Sequence, residues 1–403
     1  MKAPHWTRAR RGGNLARRGE STMHKPGFYE FFAGGGMARA GLGPGWCCLF
    51  ANDFDPKKGS IYRANWGDAE MQIGDIHALT PDRLPGCADL AWASFPCQDL
   101  SLAGHGAGLG GKRSGAFWAF RGLIDALPSQ RRPRLLVIEN VIGALTSNGG
   151  ADFAELCRAL AALGYAVGAL TIDAAHFLPQ SRPRLFIVCA RGAADVDALT
   201  QAAPTAPWHS PALVRAVDQL PQDAKAAWKW WRLPAPVARN TQLIDLIEDE
   251  PADVRWHEPE QTARIIAMMS VANRRKLDDV MTTGARAVGA IYKRTRLDVQ
   301  ARKVQRAEVR FDGLAGCLRT PGGGSSRQVI MIVEGESVRT RLLSGREAAR
   351  LMGLPDDYIL PKRYSDAYHL LGDGLAVPAV RFVARHLLDP LAAGVDALHE
   401  AAG

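Results

Sequence analysis

The chain has 403 residues, 47% apolar and 23% charged, which is ordinary for a globular protein and long enough for one large core plus a smaller one. No apolar run approaches the roughly 20 residues that span a bilayer, and seven cysteines without a C-x-x-C pair or Cys/His cluster disfavour both a disulfide framework and a metal site. The expectation is a cytoplasmic protein without metal or membrane, whose formal charge of +9 permits a polyanionic partner.

Residues 1–26 hold seven lysines and arginines against one acid, Glu20, with no apolar periodicity. They read as a disordered basic arm, or as leader ahead of a start at Met23. From Phe28 the pattern F-Y-E-F-F-A-G-G-G-M-A-R-A predicts an aromatic strand, a glycine turn and a helix, the entry of a nucleotide-binding fold. A second strand over 46–51 ends in Asn52-Asp53, where such folds place an acid for ribose hydroxyls. A third acidic turn, Gly74-Asp75-Ile76, could accept from an adenine amino group. Each acid could equally be a helix cap or turn residue.

The run D-L-A-W-A-S-F-P-C-Q-D-L-S over 89–101 reads as a buried strand stopped by Pro96, with Cys97 just beyond. The carboxyl end of a strand is where an α/β enzyme gathers its ligands, although an isolated cysteine is more often inert packing. A glycine-rich loop follows over 104–111, either a closing flap or plain surface. A strand over 133–138 then ends in Glu139-Asn140-Val141, where a carboxylate in apolar surroundings could donate a proton or simply cap a helix. A helix is predicted over 152–163, closed by Gly164, and strands over 165–172 and 185–189. Between those strands, Arg182 and Arg184 alternate on an extended segment, so both point one way and could face one ligand.

Over 192–338 the pattern shifts to proline- and tryptophan-rich stretches and then to a basic tract. The tract ends in a glycine loop flanked by Arg319 and Arg327. That density of donors suits nucleic acid. Regular structure returns with a helix over 343–351 carrying a Ser344/Glu347 capping box, and a last helix with proline in its first turn running to Leu388. Residues past Pro390 are expected to fray.

Taken in order, F-A-G-G-G, Phe-Pro-Cys-Gln, Glu-Asn-Val, Gln180-x-Arg182-x-Arg184, the helix R-L-L-S-G-R-E-A-A-R-L-M-G-L-P and Gly-Asp-Gly-Leu resemble the cytosine carbon-5 DNA methyltransferases. The resemblance implies an α/β, Rossmann-like fold dependent on S-adenosylmethionine, with a target-recognition domain at 192–338 inserted between catalytic parts at 27–191 and 339–390, and a tail at 391–403. It implies Cys97 as nucleophile, Glu139 acting at ring nitrogen 3, and Arg182 with Arg184 orienting the cytosine. Cofactor contacts are implied at Glu30, Phe32, Gly34, Gly36, Asp53, Asp75, Ile76, Pro96 and Asp373. DNA contacts are expected at Gln98, Ser101, Arg319 and Arg327. In this family Glu30 is usually Asp, and Asp373-Gly374 is usually Asn-Ser.

The implied substrate is double-stranded DNA in or near the nucleoid, bound by a monomer, with a cognate restriction endonuclease left open as a partner. An RNA-directed methyltransferase with the same blocks, and a nucleic-acid-binding module without catalysis, stand as alternatives.

Overall fold

The computed structural model describes residues 25–95, 115–192, 196–298, 300–320 and 327–393. Seven strands form the main sheet: β1 (Gly27–Phe31), β2 (Cys47–Asp53), β3 (Met71–Ile73), β4 (Leu90–Ala93), β5 (Leu135–Val141), β6 (Ala166–Asp173) and β7 (Pro183–Ala190). Their order is β3-β2-β1-β4-β5-β7-β6. The first five are parallel, and β7 runs antiparallel to both its neighbours. Strands covered on both faces are apolar almost throughout, and every residue of β1 and β4 is buried. One face packs Phe28, Trp92 and Val137 under α1 (Met37–Leu42) and α2 (Pro56–Trp66). The other packs Tyr29, Phe31 and Leu136 under α3 (Gly115–Ala126) and α4 (Ala151–Ala161). Strand order reverses at β1, between β2 and β4, so the carboxyl ends there open the crevice in which α/β folds bind ligands.

The composition break at 192 is not a break in packing. Residues beyond it, including β8 (Thr200–Gln201), α5 (Pro211–Asp218), α6 (Gln222–Ala226) and β9 (Trp230–Trp231), cover the outer edge of the main sheet. Thr171 N donates to Trp208 O at 2.7 Å, Trp231 Nε1 donates to Val188 O at 3.1 Å, and Leu213 and Val217 join the core of Phe153. The tryptophans that mark a change of character in the sequence are therefore a cover for β6.

A unit with its own core starts later, at α7 (Pro259–Ala267) and α8 (Val271–Thr282). These lie on an antiparallel sheet of order β11-β10-β12-β13, from β10 (Ala287–Leu297), β11 (Lys303–Arg310), β12 (Val329–Glu334) and β13 (Ser337–Leu342). Ile265, Leu277, Ile291, Val309 and Met331 fill its interior, while Ile330 and Ile332 point to the main core. Strand β13 carries this sheet to Leu342, past the expected boundary at 338.

The chain returns through α9 (Gly345–Leu351), α10 (Tyr364–Asp373) and α11 (Val377–Val383), then a π turn over Ala384–Leu388 and α12 (Asp389–Ala393). The capping box is present, with Ser344 Oγ accepting from Glu347 N at 3.1 Å and Glu347 accepting from Ser344 N at 2.7 Å. Glu347 also forms a fully buried two-point pair with Arg341 at 2.8 and 2.6 Å, fixing β13 to α9. Fraying is expected beyond Pro390, but Leu391 and Ala392 are buried in α12, so packing continues to Ala392. No helix among the described residues is long and apolar enough to cross a membrane.

Candidate active site

After β1 the backbone turns sharply. Phe32, Gly34 and Gly36 have φ of 58°, 55° and 80°. A bulky aromatic in the left-handed region costs about 1–3 kcal/mol and persists only where its surroundings hold it. Asp53, at the end of β2, does that holding: Oδ2 accepts from Gly34 N and Oδ1 from Asp55 N, both at 2.8 Å. Burial pushes the Asp53 carboxyl up, opposed by the Asp55 N–H, the Lys58 ammonium and the Gly34 N–H. A Cβ on Gly34 would meet nothing within 4 Å, so open space lies beside the turn.

Glu30 lies beneath α1, buried, with Oε1 accepting from Arg39 N at 3.4 Å and Oε2 without a partner. Burial pushes it up to about 8, against the pull of Arg39. Asp75 is exposed and caps the short turn that follows it, Oδ1 accepting from His77 N at 3.0 Å and lying 2.7 Å from His77 Nδ1, so the capping alternative is realised. Ile76 beside it is buried. The Phe32 ring meets Phe95 edge-on at 6.1 Å.

The residues expected to handle the base lie at β5 and β7. Strand β5 runs through Glu139 to Val141, so Glu139 caps no helix. It pairs with Arg184 Nε at 3.2 Å. Burial pushes Glu139 above the usual carboxylate range, opposed by Arg184, Arg182 and a Ser94 hydrogen bond. Asn140 Nδ2 donates to Phe95 O at 3.1 Å, which fixes where the chain leaves β4 towards Cys97. Pro96, Cys97, Gln98, Ser101 and the 104–111 loop lie outside the described residues.

Alternation predicts that Arg182 and Arg184 point one way, and both guanidinium groups do reach Cys317 Sγ, at 3.4 Å and 3.9 Å. Their surroundings differ. Arg182 is 1% exposed, with Nη1 donating to Leu318 O at 2.8 Å and Nη2 to Gly372 O and Gly374 O at 2.8 and 2.6 Å. Burial pulls it down to about 10, so it is still a cation at neutral pH. It joins β7, the 317–318 segment and the end of α10, and its terminal nitrogens are already engaged. Gln180 makes a parallel joint, donating to Leu351 O at 2.6 Å and accepting from Leu318 N at 3.1 Å. Gly372 makes this approach possible, since a Cβ there would lie 2.7 Å from Thr320 N.

Asp373 links the two ends. It pairs with Lys58 Nζ at 2.7 Å and accepts from Thr320 Oγ1. Arg319 is exposed, whereas Arg327 lies partly buried with its guanidinium 5.2 Å over the Tyr364 ring, so the two differ in setting. Lys58, Asn140 and Cys317 were not legible as site residues. Lys58 sits in the first turn after the Asp55 cap, and Cys317 opens the glycine loop; only their partners in the fold reveal them.

A sheet of this order with an antiparallel β7, a glycine turn after β1 and acids after β2 and β3 defines an S-adenosylmethionine-dependent methyltransferase fold. The family model for C-5 cytosine-specific DNA methylase matches residues 27–389, and the chain belongs to that family. It is 25% identical over 382 residues to the Type II methyltransferase M.HaeII of Haemophilus aegyptius, covering 92% of this chain and 96% of the relative. To M.HhaI of Haemophilus parahaemolyticus it is 24% identical over 364 residues, covering 89% and 93%. The S. pombe Dnmt2 methyltransferase structure aligns with a TM-score of 0.53 at 18% identity, over 91% of this chain and 99% of that one. A Spodoptera frugiperda DNMT2 structure gives 0.59 at 16%, over 91% and 99%. These solved structures show the fold alone.

Proposed function

We propose that the crevice at the carboxyl ends of β1, β2, β4, β5 and β7 methylates carbon-5 of a cytosine flipped out of double-stranded DNA. The observation that carries this reading is the buried Glu139–Arg184 pair beside the point where the chain leaves β4 for Cys97. The cofactor end fits S-adenosylmethionine: open space beside Gly34, an aromatic edge at Phe32, acids at Asp53 and Asp75, and a buried unpaired oxygen on Glu30. Bound there, S-adenosylmethionine supplies an electrophilic methyl group.

Phe32 and Ile76 hold the adenine, Asp75 its amino group and Asp53 the ribose hydroxyls. Gly34 gives the close backbone approach, Gly36 shapes the turn against Trp66 and Tyr62, Asp373 closes one side, and Pro96 is a further cofactor contact. Glu30 acts through the turn, by fixing the first turn of α1. Cys97 adds as thiolate to ring carbon-6, forming an S–C bond, and the displaced electron pair moves toward nitrogen 3. Glu139, kept protonated to higher pH by its burial, donates a proton there and leaves an enamine whose carbon-5 takes the methyl group. Loss of the carbon-5 proton then expels Cys97. Arg184 orients the base beside Glu139, and Arg182 positions Arg184.

Gln98, Ser101, Arg319 and Arg327 are DNA contacts, and the unit of α7, α8 and β10–β13 serves target recognition. The protein is taken to work as a monomer, in the cytoplasm on the nucleoid. A cognate restriction endonuclease is a further partner to be sought. Cys97→Ala should bind S-adenosylmethionine normally and transfer no methyl group. Turnover by that variant in a tritium-transfer assay would overturn the assignment.

A further inference from the structure

We infer that one face of the β10–β11 ribbon is a track for the DNA sugar-phosphate backbone beyond the target cytosine, supplying affinity rather than sequence choice. The inference rests on the DNA-methylating reading above. Strand β12 pairs with β10 only over Ala287–Ile291, while β11 stays paired out to Leu297. The outer part is therefore a two-stranded ribbon that extends past the sheet. Between 293 and 310 it carries seven lysines and arginines against two acids.

Residues directly opposite in an antiparallel pair share a face. Tyr292, Arg294 and Arg296 thus line up with Glu308, Arg306 and Val304. The other face turns Ile291, Ala307 and Val309 into the small core. The arginine face begins at the base-handling end. Tyr292 Oη donates to Gln328 Oε1 at 3.0 Å, a Cβ on Gly316 would collide with that hydroxyl, and the next residue, Cys317, touches Arg184. At about 3.4 Å per residue, Arg294 and Arg296 stand roughly 7 and 14 Å farther out.

The charges on this face are only partly balanced within the fold. Arg294 and Arg306 are directly opposed, and like charges in that position destabilise a ladder. Glu308 pairs with both Arg294 and Arg296, whereas Arg306 forms no ion pair within 4 Å among the described residues and has only a longer-range attraction to Asp298. A polyanion laid along the ribbon would supply the missing counter-charge. Thr295 and Gln305 point the opposite way, which leaves arginine as the donor of this face, and the set of methylated sites decides whether it meets phosphate or a guanine edge. Phosphate contacts of this kind fix register and carry no sequence information of their own.

The full-length protein would be titrated over a salt series with long-flanked DNA and with DNA trimmed close to the methylated site. Arg306→Ala, and Arg294→Ala combined with Arg296→Ala, should weaken binding to long DNA several-fold. For every phosphate that such a variant no longer neutralises, the slope of log affinity against log salt should fall by about 0.9. On trimmed DNA the same variants should match the unsubstituted protein, and the ranking of methylated sites should not change. Arg306→Lys should restore most of the slope, which separates missing charge from damaged folding. An unchanged slope on long DNA, or a changed set of methylated sites, overturns the track. Failure of the parent reading looks different: the unsubstituted protein would then transfer no methyl group to DNA, whatever its binding slope.

Discussion

The two ends of the crevice are built in different ways. Most of the proposed cofactor end comes from one short span: Glu30, Phe32, Gly34 and Asp53 lie on β1, β2 and the turn between them, Asp75 follows β3, and Asp373 is added from α10. The proposed base-handling end draws Glu139 from β5, Arg184 from β7, Cys317 from the 317–318 segment and Gly372 from α10, and Arg182 ties three of these together. Local turn chemistry sets the first, whereas the second exists only once distant parts of the chain have packed. Damage to the joint should therefore separate catalysis from cofactor binding.

The largest expected effect follows from breaking that joint. Arg182→Leu strands the carbonyls of Leu318, Gly372 and Gly374 in a buried site, at a cost of roughly 3–5 kcal/mol. Methyl transfer should fall below detection while S-adenosylmethionine affinity, measured calorimetrically on the folded fraction, changes little. Equal loss of both would mean that the two ends are one cooperative unit.

An intermediate effect should appear at the cofactor end as a pH dependence. Glu30 sits at about 8 in the fold and near 4.3 unfolded, so between those values the folded chain holds the extra proton. Stability from this group is present at low pH and falls as pH rises toward 8. Glu30→Gln removes that slope. Its melting temperature relative to the unsubstituted protein should climb from pH 5.5 to 8.5, and parallel curves would refute a proton on Glu30. The smallest effect belongs to the link between the ends: Lys58→Ala, removing a half-exposed pair with Asp373, should cost about 0–1 kcal/mol by denaturant titration. It should weaken cofactor binding only slightly, and a loss as large as that of Arg182→Leu would erase the distinction.

The same contrast explains what could be read from the sequence. The glycine turn, the cap at Asp75 and the Ser344/Glu347 box depend on neighbours a few residues apart, so spacing reveals them. Arg182 and Arg184 are also legible as a pair, but not the division between a buried clamp and an arginine that faces Glu139, because their partners come from far along the chain. The composition change at 192 does not coincide with a change of packing, for a related reason. A tryptophan-rich stretch looks the same whether it fills a new core or covers the edge of an old one, and hydrogen bonds such as that from Trp231 to Val188 decide which.

Covalent addition of Cys97 to a cytosine in DNA, as proposed, leaves a chemical signature that fluorine exposes. After methyl transfer the adduct collapses only by losing the carbon-5 proton, and fluorine at that position does not leave as a cation. With S-adenosylmethionine present, DNA carrying 5-fluorocytosine at the methylated site should give a protein–DNA species that survives denaturing electrophoresis. Cys97→Ala should give none, and matched RNA little or none. Trapping on RNA but not DNA, trapping by Cys97→Ala, or no trapping by the intact protein would contradict the account.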